Sequence, residues 1–248
     1  MARYSGEENR LVWFIDEVGI WSVNPYRRCS FRCVYCIAVS QGEATPWYPV
    51  NQVVSELNKA LEHIPSTTEL FIGAMADAYP PVEEQLGITR VILKEISRQE
   101  RPFCINTKST LVCRDIDILQ AYTGHCDVYI SLCTLDEDAV RVLEPGAPSV
   151  AERLDAIGIL NDAGIDVNVD ASPWIPSVSD AGGLIAALPE GVGIQFGPLD
   201  IRHFGEPARL LGRTLTQQEV NEAYMAERQR IGDQPGIHWK GAPQMLDQ

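Results

Sequence analysis

At 248 residues, with 45% hydrophobic and 22% charged residues, the chain is long enough to bury a full core and ordinary for a globular protein. Lys+Arg of 20 against Asp+Glu of 34 leaves a formal charge of −14, a field that repels a phosphate backbone and disfavours nucleic acid as a partner. Apolar runs are too short to cross a bilayer, and "MARYSGEENR" carries none behind its charges. The composition therefore predicts a cytoplasmic protein without a leader, where clustered cysteines serve metal or catalysis rather than disulfides.

In chain order, "EVGIWSV" (17–23) reads as a strand running into "NPYRRCSFRCVYCIA" (24–38). "NQVVSELNKALEHI" (51–64) places Val53, Val54, Leu57, Leu61 and Ile64 on one helical face, with Asn51 as the N-cap. "TELFIGA" (68–74) is a strand, and a helix over 82–99 follows Pro80-Pro81. Strand 102–107, helix 114–122 and strand 127–133 come next. "SVAERLDAIGILNDAG" is the clearest helix, with Ser149 and Glu152 in capping-box spacing and Gly164 as its stop. Strand 165–176, helix 180–188, a sixth strand over 191–199 and a last helix over 216–232 complete the pattern.

Six strand–helix alternations predict an α/β fold with a parallel sheet, either open or a partial barrel. No linker or repeat divides the chain, so one domain is expected. In such folds the site lies at the carboxyl ends of the strands. The cysteine loop, "GAMADAY", "NTKST", "SLCT" and "SPWIP" then share one mouth.

Cys29, Cys33 and Cys36 fall within eight residues, at intervals of three residues and then two. They could be unrelated thiols. A structural zinc site would need a fourth ligand, and neither His63 nor His125 has matching spacing. A [4Fe–4S] cluster normally takes four thiolates, so three would leave one iron open to a ligand that takes part in chemistry.

The pattern C-x3-C-x2-C, with Tyr35 before the last cysteine, resembles the radical S-adenosylmethionine (SAM) superfamily. "NPYRRCSFRCVYC", "GAMADAYPPVE", "NTKSTLVCRDIDIL", "ISLCTLDEDAVRVLEPGAPSVAERLDAIGILNDAGI" and "PWIP" resemble, in order and spacing, blocks of its spore photoproduct lyase-like branch. The resemblance runs to about residue 200. It implies a partial (β/α)6 barrel over about 10–200 with a C-terminal extension over 201–248. It also implies a [4Fe–4S] cluster on Cys29, Cys33 and Cys36, with SAM on the open iron. The reduced cluster would cleave SAM to a 5′-deoxyadenosyl radical, with a flavodoxin or ferredoxin as electron donor.

By the same resemblance Tyr35 lies against the cluster and the adenine, and Asp77 takes the ribose hydroxyls or the methionine ammonium. Lys108 meets the SAM carboxylate, Ser131 bonds the methionine or ribose, and Ile175 walls the adenine. Each has a plainer alternative: loop packing for Tyr35, capping for Asp77, a solvated surface for Lys108, a ladder hydroxyl for Ser131 and ordinary core for Ile175. Arg141, Glu144 and Arg153 are expected to form a buried ion-pair network bracing the site.

The chain departs from the DNA-repair members of that branch. Gly73, Ala74 and Met75 leave no thiol after the second strand, Ala76 stands where a hydroxyl is common, and Ile37 follows Cys36 in place of a tyrosine. Cys104, Cys113, Cys126 and Cys133 form no C-x2-C pair for a second cluster and read as small buried hydrophobes. Cys133, two residues past Ser131, is expected to face the mouth by strand periodicity and to donate hydrogen to a substrate radical. Arg202, His203, Trp239 and Lys240 are expected to close the substrate side, the cations suiting an anionic group. The reading is natural-product tailoring of a small-molecule or nucleoside-like substrate. A nucleic-acid-acting enzyme of the same branch and a non-enzymatic iron–sulfur or zinc protein are the alternatives.

Overall fold

In a computed structural model that describes residues 11–16, 18–36, 42–201, 212 and 215–241, eight strands form one sheet in chain order. They are β1 (Val12–Ile15), β2 (Ile20–Val23), β3 (Leu70–Ile72), β4 (Phe103–Thr107), β5 (Cys126–Ser131), β6 (Val167–Trp174), β7 (Gly193–Pro198) and β8 (Ile237–Trp239). β1 runs antiparallel to β2, and every later pairing is parallel. The sheet is open, with β1 and β8 at its edges.

The helices are α1 (Val50–Leu61), α2 (Glu83–Leu86), α3 (Ile88–Arg98), α4 (Ile116–Ala121), α5 (Glu137–Leu143), α6 (Val150–Asp162), α7 (Ala181–Ala187) and α8 (Gln217–Ile231). Their apolar faces join one core with alternate strand residues: Leu70 and Ile72, Phe103 and Ile105, Val128 and Ile130, Val167 and Val169, Ile194 and Phe196. Between these lie Cys104, Asn106, Asp127, Tyr129, Ser131, Asn168 and Asp170, on the opposite face. Parallel strands buried on both faces read as continuous apolar runs, whereas these alternate, as a sheet covered by helices on one side requires. The concave face of the partial barrel is therefore polar.

The expected alternation is present, with four departures. β1 and β8 extend the six expected strands to eight, and the last of them comes from the C-terminal extension. The helix expected over 82–99 breaks at Gly87, whose φ of 63° ends α2 and begins α3. α1 starts one residue before Asn51, with Pro49 as its N-cap. A 3₁₀ turn over Thr110–Asp115 precedes α4. The capping box of α6 is formed as expected: the Ser149 hydroxyl accepts from the Glu152 amide, while the Glu152 carboxylate accepts from the Ser149 amide.

Candidate active site

β2 delivers the chain at Val23 into the cysteine loop, which is pinned on three sides. Asn24, fully buried, donates to the Ser22 hydroxyl (2.7 Å) and accepts from the Met75 amide (3.0 Å), joining this loop to the one after β3. The Val34 amide donates to the Leu143 carbonyl and the Gly146 amide to the Phe31 carbonyl, both at 2.9 Å. Gly146 permits that approach, because a Cβ there would stand 2.7 Å from the Ser30 carbonyl oxygen. This contact between loop and α5–α6 connection explains why "EPGAPS" accompanies the cysteine motif in one site.

Behind the loop lies a charged brace. Tyr26 donates to Glu83, Arg114 pairs with Glu83 (2.7 Å) and Asp115 (2.9 Å), Arg90 pairs with Asp115 (2.7 Å), and the Tyr79 hydroxyl reaches Asp115 (3.2 Å). Glu83 and Asp115 are fully buried, and each has two or more partners, as a buried carboxylate requires. All of these but Arg90 sit in "NPYRRC", "DAYPPVE" and "VCRDID", so much of what those segments contribute is scaffolding.

Cys29, Cys33 and Cys36 all border one cleft of about 320 Å³ at the carboxyl ends of the strands. None of the three is in a disulfide. Burial pushes the Cys29 thiol up to about 11, Asp77 adding to it against the amides of Asp77 and Phe31. Burial pushes Cys33 up to about 12 despite Lys108 nearby. A metal bound here would supply the positive charge needed to ionise them.

Lys108, Ser131 and Asp77 line the same cleft. Under the loop, Glu144 is fully buried between Arg153 (2.7 Å), Lys108 Nζ (3.9 Å) and the Tyr35 hydroxyl, which donates to it. Burial pushes its carboxyl up, but Lys108 and Arg153 prevail and hold it below the ordinary range. Burial likewise disfavours the Lys108 ammonium, yet Cys33 and Glu144 raise its affinity for the proton, so it stays charged. Lys108 Nζ also stands 5.5 Å from the centre of the Tyr35 ring.

Asp77 is a turn-builder as well as a lining residue. Its carboxylate accepts from the Tyr79 amide (2.9 Å), the Thr107 hydroxyl (2.6 Å) and the Lys108 amide (2.8 Å), which sets the start of the Lys108 segment. Ser131 donates to Asn106 Oδ1 (2.8 Å), Asn106 donates to Asp170 (2.9 Å), and Asp170 also accepts from Ser172 (2.7 Å) and Lys240 (3.1 Å). Asn106, Asp170 and Ser172 border the cleft and were not singled out from the sequence. Their signal was there: "CINT" and "VNVDAS" put polar groups at alternate positions of strands otherwise apolar.

Four expectations need correction. Arg141 is exposed and pairs with Asp138 one helical turn away, so it stands outside the Glu144–Arg153 network. Cys133 does not border the cleft: β5 ends at Ser131, strand periodicity stops there, and the thiol is buried against Glu144 (3.6 Å) and the Tyr35 hydroxyl (4.0 Å). Ile175 is buried in one apolar cluster with Phe31, Tyr35 and Leu199, backing the cleft rather than lining it. Trp239 stacks on Phe196 at 4.6 Å, between centroids, and anchors β8, which leaves Lys240 as the group facing the mouth. Ile37, Arg202 and His203 lie outside the described residues.

The family model described as the radical SAM superfamily matches residues 23–182, which carry the cysteine loop and strands β3 to β6. The chain belongs to the radical SAM superfamily. Members of this family of enzymes use a [4Fe–4S] cluster and SAM. An uncharacterised protein of Methanocaldococcus jannaschii is 30% identical over 164 residues, covering 64% of this chain and 61% of its own length. One of Mycobacterium tuberculosis is 31% identical over 175 residues, covering 65% and 52%. The chain thus spans about half to three-fifths of the curated relatives it matches.

Among solved structures, a cysteine-to-serine mutant of spore photoproduct lyase superposes with a TM-score of 0.66 at 13% identity, over 96% of this chain and 80% of the other. SuiB of Streptococcus suis, bound to its precursor peptide SuiA, gives 0.61 at 12% identity, over 89% and 48%. At these identities the likeness shows a shared fold.

The residues present fit the cofactors of a radical SAM protein. Three cysteines outside any disulfide converge on one cleft, and among the described residues the other group of side chains with metal-ligand geometry lies far along the sheet, at its amino end. A charged ammonium, an amide and a hydroxyl line that cleft, suited to an amino-acid carboxylate and to a ribose.

Proposed function

We propose that this radical SAM protein cleaves SAM reductively and uses the resulting radical on a small-molecule or nucleoside-like substrate, in a tailoring reaction of biosynthesis. The observation that carries this is the convergence of Cys29, Cys33 and Cys36 with Lys108, Asn106 and Ser131 on one cleft. When bound there, the cluster and SAM supply a 5′-deoxyadenosyl radical able to abstract hydrogen.

The protein's share is binding and orientation. The three cysteines hold iron and, with no fourth thiol in the cleft lining, leave one position for SAM. Lys108 offers a point charge to the methionine carboxylate, kept charged and in place by Glu144 and the Asp77 turn. Ser131 and Asn106 present the polar atoms for the ribose or the methionine. Tyr35 closes the underside and is fixed by its bond to Glu144. Asp170 and Lys240 border the far side, where the substrate would enter.

Spore photoproduct lyase has been solved with AdoMet and a dinucleoside spore photoproduct. This chain carries Gly73, Ala74, Met75 and Ala76 along the cleft where the repair branch has its thiol, and its net charge is −14. Both features support a substrate other than duplex DNA. The electron would come from a flavodoxin or ferredoxin in the cytoplasm; among the described residues no helix is long and apolar enough to cross a membrane.

The test is anaerobic reconstitution with iron and sulfide, then SAM and dithionite. Methionine and 5′-deoxyadenosine should form in equal amounts, and Cys33→Ser should abolish both along with cluster absorbance. A fully loaded wild-type cluster that releases no 5′-deoxyadenosine would refute the reading.

A further inference from the structure

At the opposite, amino end of the sheet the concave face carries a second set of chemistry-bearing side chains. Glu69 enters β3, His125 enters β5, and Asp127 is the second residue of β5. One ligand atom from each lies within 4.8 Å of the others. His125 Nε2 is 3.4 Å from both Glu69 Oε1 and Asp127 Oδ2, so it sits between two carboxylates. Among the described residues, His125 is the ion-pair partner of both acids.

Cys104 of β4, the strand between, lies beside the three without being one of them. Its Cα partners are Phe71 on one side and Asp127 on the other, so its side chain shares the concave face with Asp127. It is 5% exposed, and no hydrogen-bond partner is found for its thiol among the described residues.

We propose that Glu69, His125 and Asp127 form a zinc site at the amino end of the barrel. Mixed imidazole and carboxylate donors suit zinc, whereas calcium and magnesium favour oxygen-only sets. Glu69 and His125 are 49% and 61% exposed, so an ion reaches the site from solvent without any opening of the fold. Its ligands come from the starts of β3 and β5, and the bound ion ties together two strands that β4 separates. The site is separate from the cluster cysteines and does not depend on the reaction proposed for them.

The experiment uses cluster-loaded protein, so that Cys29, Cys33 and Cys36 are already filled. After incubation with zinc and desalting, metal analysis should find roughly one zinc per chain beyond the cluster iron. His125→Ala and Asp127→Asn should each abolish that retention, with cluster iron unchanged. Zinc should also raise the thermal midpoint of the wild-type protein, and magnesium or calcium should not. Zinc retained equally by wild type and His125→Ala overturns the proposal, as does calcium held as tightly as zinc. If the variants fail to fold, a wild-type chain that retains no zinc and shows no zinc-dependent midpoint shift overturns it alone.

Discussion

Glu144 is the residue on which the underside of the site turns. A carboxylate with no solvent exposure survives only where its lone pairs are used, and here Arg153, Lys108 and Tyr35 use them. Arg153 is itself fully buried, donating to the Ser131 carbonyl (2.9 Å) and pairing with Glu144. Glu144→Gln removes the counter-charge from a buried guanidinium, and it should destabilise the protein by about 3–5 kcal/mol in urea unfolding. Arg141→Ala, one turn earlier, breaks an exposed pair with Asp138 and should shift stability by no more than about 0.5 kcal/mol. Equal costs for the two would contradict the assignment of the network to Glu144 and Arg153. The sequence named these three charges together because all stand in one block. It held no sign that Asp138 takes Arg141 outward, since that depends on which face α5 buries.

Among elements, α6 shows best what the chain declares openly. Ser149 and Glu152 stand three apart before an apolar stripe, and the box forms because both satisfy amides that helix geometry leaves open. Ser149→Ala should cost about 1 kcal/mol at neutral pH. The share due to Glu152 has a pH signature. The Ser149 hydroxyl, then its amide, holds the folded carboxyl below the ordinary range. A lowered folded value stabilises above the unfolded value and is lost as pH falls through the folded one. The cost of Glu152→Gln should therefore be full at neutral pH and fade below about 4, followed by urea midpoints across pH. A constant cost down to acid would mean the carboxylate plays no part. Other elements were less legible for physical reasons. β1 and β8 are four and three residues long and only half-buried, so neither carries a run that stands out. α5 has seven residues, too few for periodicity to declare itself. The break at Gly87 was hidden because the apolar stripe continues across it. At the site, the cysteine spacing pointed to Cys29, Cys33 and Cys36, and the resemblance with strand-end placement to Lys108 and Ser131; all five border one cleft. Asn106, Asp170 and the burial of Cys133 needed the register, which ends β5 at Ser131.

For the whole molecule, the deciding contrast is between the kinship of fold and the sign of the surface. The lyase-like architecture places the cleft at the carboxyl ends of the strands, where a bound nucleic acid would lie. Yet the chain's charge is −14, and the polar concave face contributes Asp170, Asp127, Glu69 and Asp166. Three of the nearby cations are engaged within the protein. Lys108 serves Glu144, Lys240 pairs with Asp170, and Arg27 lies over the Trp47 ring at 4.8 Å. A duplex would have to draw these cations from their partners and approach against the net field. Phosphate contacts release counterions, so log K against log salt falls by about 0.9 per phosphate neutralised. A DNA-acting enzyme of this size would show several such contacts and a steep slope at low salt. This protein should show no binding to a short fluorescent duplex beyond the non-specific range, roughly 10⁻⁴ M or weaker near physiological salt, measured by anisotropy. Tight binding with a slope steeper than about −4 would restore nucleic acid as the substrate and require a basic surface elsewhere on the chain.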